Sequence, residues 1–431
     1  MKEIWVRGGR RLEGEIWVHG AKNAALPILA ATVLSKGESL LHNCPRLTDL
    51  DCALALLEHL GCRTRREGGD IWVDASEVTS GTLPRHLMEQ MRSSLFFLGP
   101  LLARLGHCEF FAPGGCALGE RPIDLHLGGF QSLGAVCREQ GERLILESGG
   151  LQGAAIILPF PSVGATENLM MAALAARGTT VIYNAAREPE ICDLARFLRA
   201  GGAKIAGDGT GLIQIEPGLP RGAEHRIMPD RMEAATYLCA GASAGGDLAV
   251  RGIEEELLLP VCKTLRNAGC QIRRDCAIIR SHSGDLGGCR LVRTAPYPGF
   301  PTDAQAVTMA ALLRARGISV FEETVFSQRF RHVPALRALG ADIRVSGSVA
   351  VVLGGAPLRG AAMEATDLRG GAAMVVAALG AEGESTVRRI SHIERGYEAL
   401  VPGLAALGAE IEMREEAPAP REDGGWKHGL G

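Results

Sequence analysis

The stretch DCALALLEHLGCRT, residues 51–64, joins a leucine-rich run to an alternating one through Gly61. Apolar residues before the glycine recur at the three- and four-residue spacing of a helix with one buried face. Gly61 reads as a helix terminator, because glycine enters the left-handed region without a side-chain clash. Beyond Gly61 the residues alternate as a strand does. The same order of helix end, glycine, small residue and strand returns as SLGAVC at Gly134, AGGAKI at Gly202, NAGCQI at Gly269, ALGADI at Gly340 and ALGAEI at Gly408. Successive glycines lie 73, 68, 67, 71 and 68 residues apart. That period is too long for a solenoid and suits a repeated supersecondary module.

An earlier helix is expected in each module, at 22–34, 91–105, 165–176, 230–244, 302–316 and 366–381. These runs are rich in Ala, Leu and Met on nearly every side, so they are expected to be buried. Each module then reads β–α–β–α–β–β, which makes the chain an α/β protein. The opening EIWVRGGRRLEGEIWVHG (3–20) alternates on both sides of Gly8-Gly9 and reads as a hairpin. The tail from Glu415 is Pro, Gly and charge without periodicity, and no order is expected there.

The starts of the six buried helices carry the functional signal. They open on Lys22-Asn23, Met91-Arg92, Ala165-Thr166, Asp230-Arg231, Thr302-Asp303 and Thr366-Asp367-Leu368-Arg369. Helix N-termini expose unpaired N–H groups and attract anions. For Thr166 and Thr366, side-chain capping explains the residue at least as well as a ligand does. For Lys22, Arg92 and Arg231 it does not, because a cation there opposes the helix dipole. Their placement points to an anionic ligand.

With 431 residues the chain is long enough for about two domains. Apolar residues make up 46% and aromatics 4%, which suggests tightly packed small-residue layers. A formal net charge of −3 gives no global field for nucleic acid, so any anion site has to be built locally. The 12 cysteines form no CxxC pair and no cluster with zinc spacing, which argues against a metal and fits a reducing cytoplasm. No apolar signal segment opens the chain, and its longest uncharged run, 148–166, is broken by glycines and prolines. A soluble cytoplasmic protein with no membrane partner is expected.

Chemistry is expected in PGGCALGERPIDLH (113–126). Gly114, Gly115 and Gly119 leave backbone amides bare for an anion, Cys116 supplies a thiol, and Arg121 a fixed positive charge before Pro122. Asp124 and His126 come next, at alternate positions. A mobile lid over an anionic substrate would look like this. Two other loops carry less. Gly114-x4-Gly119 is followed by Glu-Arg where a phosphate loop needs Lys-Ser/Thr, and Gly207–Gly211 leads into the strand-like LIQI, not a dinucleotide-binding helix.

AKNAALP (21–27), PGGCALGERPIDLH (113–126), PSVGATEN (161–168), AAREPEI (185–191), PDRMEAATY (229–237), FPTDAQA (300–306), TDLRGG (366–371) and HIERGYE (392–398) together resemble the UDP-N-acetylglucosamine enolpyruvyl transferases. The resemblance covers the chain except its tail. It implies a two-domain inside-out α/β barrel of six βαβαββ units, three per domain. One domain would span 22–229 and carry the lid loop 113–121. The other would join 1–21 to 230–414, leaving 415–431 as a disordered tail.

The implied reaction moves the enolpyruvyl group of phosphoenolpyruvate onto the sugar 3-hydroxyl of UDP-N-acetylglucosamine, by addition and then elimination of phosphate. No cofactor or metal is implied. By resemblance, Cys116 is the general acid at the alkene carbon and Asp303 the group near the attacking hydroxyl. Lys22, Arg92, Arg121 and Arg395 surround phosphoenolpyruvate, and guanidinium forks suit both its phosphate and its carboxylate. Lys22 and Arg395 are counted with the catalytic groups. The nucleotide sugar falls to Asn23, Arg92, Pro122, Ile123, Asp124, Leu125, Ser162, Val163, Gly164, Asp303 and Val325. Arg329, Asp367 and Arg369, and with them Arg231, fit ligand contact and interdomain pairing equally. Two residues depart from the pattern. Phe160 stands where relatives often carry a nucleotide-binding lysine, and Glu120 adjoins Arg121. Competing readings are the sister 5-enolpyruvylshikimate-3-phosphate synthases, against which the cysteine-bearing lid and the SVGAT segment favour the UDP-sugar enzyme, and an idle paralogue that binds the UDP-sugar as a regulator.

Overall fold

The computed structural model describes residues 2–111 and 123–415. All six signature glycines have positive φ, from 89° at Gly134 to 110° at Gly269. After each, the next amide donates back five residues into the preceding helix: Cys62 to Leu57, Ala135 to Phe130, Ala203 to Leu198, Cys270 to Leu265, Ala341 to Leu336 and Ala409 to Leu404. This is the hydrogen-bond pattern of a Schellman helix end, and the left-handed glycine is what makes it reachable. A strand leaves each junction, at Arg63–Glu67, Val136–Gln140, Ile205–Ala206, Gln271–Asp275, Asp342–Ser346 and Glu410–Glu415.

The six buried helices are α1 (Lys22–Ala31), α2 (Leu98–Leu105), α3 (Val163–Ala173), α4 (Arg231–Ala244), α5 (Thr302–Ala311) and α6 (Leu368–Gly380). Every residue of α4 is buried. Its alanines and glycine let α5 and α6 approach it, and these three helices pack on one another. On the other side, α2 packs on α3, and α1 reaches both through the 3-10 turn Arg92–Phe97. The described strands form five four-stranded sheets and one three-stranded sheet around these helices. The apolar interior divides in two. One core takes residues from 21 to 228, and the other from 4 to 18 and 232 to 411. The chain crosses between them twice, side by side, with Ala21 N donating to Met228 O and Asp230 N to His19 O. A Cβ on Gly20 would lie 1.7 Å from the Asn43 carbonyl oxygen, so this crossing admits no side chain.

The expected N-terminal hairpin does not form. β1 (Lys2–Arg7) pairs antiparallel with Glu384–Arg388 and Glu410–Glu415, whereas β2 (Leu12–Trp17) pairs parallel with Gly246–Arg251 in another sheet. Gly8 and Gly9 are bonded to Gly383 and Leu379. They steer the chain from one sheet to the next and do not turn it back on itself. Alternation reports a strand but not its partner. Glu415, placed in the tail by its sequence, is still strand and pairs with Lys2. Neither threonine caps its helix: Ser162 caps α3 and Asp367 caps α6. Thr166 Oγ1 donates to Ser162 O, and Thr366 Oγ1 to Asp367 Oδ2. No described helix is long and apolar enough to cross a membrane.

Candidate active site

Asp303 lies in the first turn of α5, where the peptide dipole favours an anion. Its carboxylate accepts from Arg329 Nη2 at 2.8 Å and from Arg369 Nη2 and Nε at 3.2 and 3.3 Å. Both guanidiniums are buried, while the Asp303 side chain keeps 31% of its surface exposed. Arg329 is fixed from behind by the Thr302 carbonyl, and Arg369 by the Tyr397 hydroxyl, which also meets Thr236 Oγ1. The two arginines hold the acid and the acid faces out.

Lys22, the first residue of α1, meets a different acid. Its Nζ donates to Asp49 Oδ2 at 2.7 Å, and Arg395 Nε donates to Asp49 Oδ1 at 2.9 Å from the other half of the chain. Burial pulls the Lys22 pKa below its ordinary value, Asp49 opposes that, and Arg369 and Arg395 add to it. Two of the four cations assigned to phosphoenolpyruvate are thus joined on one carboxylate. Arg369, bonded to Asp303, is near enough for its like charge to lower the Lys22 pKa.

Arg92 opens the 3-10 turn ahead of α2. Burial, and then the Arg92 charge, lower the His126 pKa to about 4, which leaves the imidazole neutral. Its Nδ1 accepts from Asn168 Nδ2 at 3.1 Å. Asn168 also donates to the carbonyls of Leu95 and Gly164 and accepts from Gly99 N. This asparagine ties α2, α3 and the helix Asp124–Ser132 together. The helix Asp124–Ser132 packs on α3, and the His126 ring lies against Gly164. Asn23 is exposed on the first turn of α1. Val325 N donates to Glu323 Oε1, and Glu323 Oε2 accepts from Thr302 Oγ1, so Val325 is anchored at the start of α5.

Asp367 serves α6, accepting from the amides of Arg369 and Gly370. Arg231 is gripped by both oxygens of Glu190, at 2.9 and 3.1 Å, and its guanidinium stands 5.8 Å from the Tyr297 ring. Burial would lower its pKa, but the acids Glu190, Glu188 and Asp303 together outweigh burial and raise it. The anion that a cation at a helix start demands is therefore a side chain of this protein at both Lys22 and Arg231. Asp49 and Glu190 escaped the sequence reading because acids in a first helical turn look like ordinary dipole partners. Asn168 escaped it as a polar residue in an apolar helix. Phe160 is exposed two residues before Ser162. Cys116, Glu120, Arg121, Pro122, the loop 113–121 and the tail 416–431 lie outside the described residues.

A family profile described as EPSP synthase (3-phosphoshikimate 1-carboxyvinyltransferase) matches residues 6–404. The UDP-N-acetylglucosamine 1-carboxyvinyltransferase 2 of Caldanaerobacter subterraneus is 46% identical to this chain, over 95% of it and 99% of the relative. The UDP-N-acetylglucosamine 1-carboxyvinyltransferase of Granulibacter bethesdensis is 47% identical over 96% and 99%. Among solved structures, the enolpyruvyl transferase NikO from Streptomyces tendae is similar at a TM-score of 0.87 with 25% identity, covering 96% of this chain and 98% of its own. EPSP synthase from Acinetobacter baumannii shares the fold at a TM-score of 0.75 and 17% identity, over 96% of this chain and all of its own. The chain belongs to the EPSP synthase family, among its UDP-N-acetylglucosamine 1-carboxyvinyltransferases.

Proposed function

We propose that this protein transfers the enolpyruvyl group of phosphoenolpyruvate to the 3-hydroxyl of UDP-N-acetylglucosamine and releases phosphate, the first committed step of peptidoglycan precursor synthesis. The observation that carries the site assignment is the pair of ion clusters, Lys22 and Arg395 on Asp49, and Arg329 and Arg369 on Asp303. It supplies cations for a doubly anionic donor and an outward-facing carboxylate for the hydroxyl of the acceptor. The choice of acceptor is supported by relatives at 46–47% identity, both UDP-N-acetylglucosamine enzymes, although the family profile bears the shikimate enzyme's name.

In the addition step, the sugar oxygen forms a bond to C2 of the donor, its proton goes to Asp303, and Cys116 delivers a proton to C3. In the elimination step, C3 gives a proton back to the Cys116 thiolate and the C2–O bond breaks, its electron pair leaving with phosphate. Lys22, Arg92, Arg121 and Arg395 hold the phosphate and carboxylate and stabilise charge that builds during addition. Asn23, Arg92, Pro122–Leu125, Ser162–Gly164, Asp303 and Val325 receive the nucleotide sugar. Arg329 and Arg369 position Asp303. Three βαβαββ units in each of two domains, 22–229 and 1–21 with 230–414, form an inside-out barrel around the cleft. That architecture is supported by the two separate cores and the six repeated helix ends.

Phosphate release should be fast with phosphoenolpyruvate and UDP-N-acetylglucosamine and absent with shikimate 3-phosphate. The opposite preference would move the assignment to the sister enzyme. Cys116→Ser should nearly abolish release and leave UDP-sugar affinity unchanged; full turnover would take the thiol out of the acid role.

A further inference from the structure

We infer that Asp49 is a positioning residue for the donor: from the helix Thr48–His59 it keeps Lys22 charged and aims Arg395 across the cleft, so that one anion site stands ready before phosphoenolpyruvate arrives. This rests on the donor assignment above. The geometry is specific. Asp49 is 3% exposed, and both of its oxygens are used, Oδ2 by Lys22 at 2.7 Å and Oδ1 by Arg395 at 2.9 Å. Lys22 lies between Ala21 and Ala24 of one core and Arg395 between Ile393 and Tyr397 of the other, so a single carboxylate fixes in register two cations from different halves of the molecule. A neighbouring contact ties the same segments: Arg46 N donates to Glu398 Oε2 at 2.9 Å. Of the pair, the lysine is buried and Arg395 keeps 40% of its side chain exposed, open to a ligand.

A buried ammonium beside two guanidiniums tends to lose its proton, and an uncharged Lys22 could not hold phosphate. The charged groups acting on it are Asp49 from the helix Thr48–His59, Arg369 from α6 and Arg395 after the short helix Ser391–Glu394. The other elements packed on α1 bring Glu190, already gripped by Arg231, and Arg92. Asp49 is the carboxylate bonded to Lys22. Removing its charge removes the attraction that raises the Lys22 pKa, so the ammonium should be lost at lower pH.

The test is the pH profile of kcat/KM for phosphoenolpyruvate in wild type, Asp49→Asn and Asp49→Glu, with UDP-sugar saturating. Asp49→Asn should shift the alkaline fall of the profile to lower pH by about one unit or more, as expected for loss of one opposite charge at contact distance. Its KM for the donor should rise more than its kcat falls. Asp49→Glu should bring the alkaline limb back toward wild type. In a Lys22→Arg background the Lys22 limb should be absent and Asp49→Asn should not shift the profile, since guanidinium does not titrate in this range. A uniform loss of activity at every pH, with the limb unmoved, would overturn the inference and leave Asp49 a structural residue. If Asp49→Asn does not fold, Asp49→Ser carries the same expectation. Absence of turnover in the wild type would instead count against the donor assignment itself.

Discussion

Asp49 and Asp303 each bind two cations, and they do so inside out with respect to one another. At Asp303 the two arginines are buried and the acid is partly exposed. At Asp49 the acid is buried and one cation, Arg395, is partly exposed. In the first case the cations are the scaffold and the carboxylate is the group left exposed. In the second the carboxylate is the scaffold and Arg395 is the group left exposed. Ion pairs of similar length thus serve opposite ends. Burial tells which partner is the support, because the desolvated member of a pair is the one that cannot leave it.

The comparison breaks most visibly at Asp303. Asp303→Asn keeps the shape and some of the hydrogen bonds but loses the carboxylate proposed as base, and kcat should fall by about 10²- to 10⁴-fold, the range for a proton-transfer group. Asp303→Ala goes further and strands Arg329 and Arg369 without their acid. It should lower unfolding stability by up to about 3 kcal/mol, read from urea denaturation, since both keep other acceptors. If Asp303→Asn turns over at wild-type speed, the outward-facing acid is no base and the contrast with Asp49 fails.

Each half of the molecule also buries one neutral histidine. His126 and His332 are both lowered by burial from 6.5 to about 4. The unfolded chain takes up these protons first on acidification, so stability is intact above about pH 6.5 and falls as pH drops toward 4, by up to about 3 kcal/mol for each imidazole. His126→Gln and His332→Gln should each flatten that slope. Urea midpoints at pH 7 and pH 5 would check this. An equal slope in the variants would mean that other groups carry the acid sensitivity.

A smaller effect separates the two arginines from mere charge. Arg369 reaches Asp303 with two nitrogens and Tyr397 with a third. Arg369→Lys keeps the charge but not the fork, and kcat should fall by roughly 10-fold with little change in donor KM. A change confined to donor KM would assign Arg369 to the donor, together with Lys22.

What the sequence carried was local. The six helix ends were legible because a left-handed residue is nearly always glycine, and the buried helices because Ala, Leu and Met surround them on every side. The cations were legible because they oppose the helix dipole. Their counter-ions were not: Asp49 lies 346 residues from Arg395, and Glu190 lies 41 from Arg231. No periodicity encodes such pairs. The failed hairpin has the same cause, since β1 finds its partners at the far end of the chain. Charge placement pointed to an anion, and folding met part of that demand from within.

The mildest perturbation asks whether the two halves are built on one module. Gly134 belongs to the half that holds Lys22, with φ of 89°, and Gly408 to the half that holds Asp303, with φ of 94°. A Cβ at Gly134 would meet nothing within 4 Å, and one at Gly408 would meet only the Arg11 carbonyl at 3.7 Å, an ordinary contact. An alanine at either site therefore costs only the strain of a left-handed backbone, about 1 kcal/mol. Gly134→Ala and Gly408→Ala should each lower the Tm of their own half by about 2–4 °C and leave kcat and KM unchanged. Gly20→Ala makes the contrast, because its Cβ would collide with the Asn43 backbone where the chain crosses between the cores. Equal small losses at 134 and 408 are what a shared helix end demands. A large loss at only one of them would mean that the two junctions, alike in hydrogen bonding, differ in what they support.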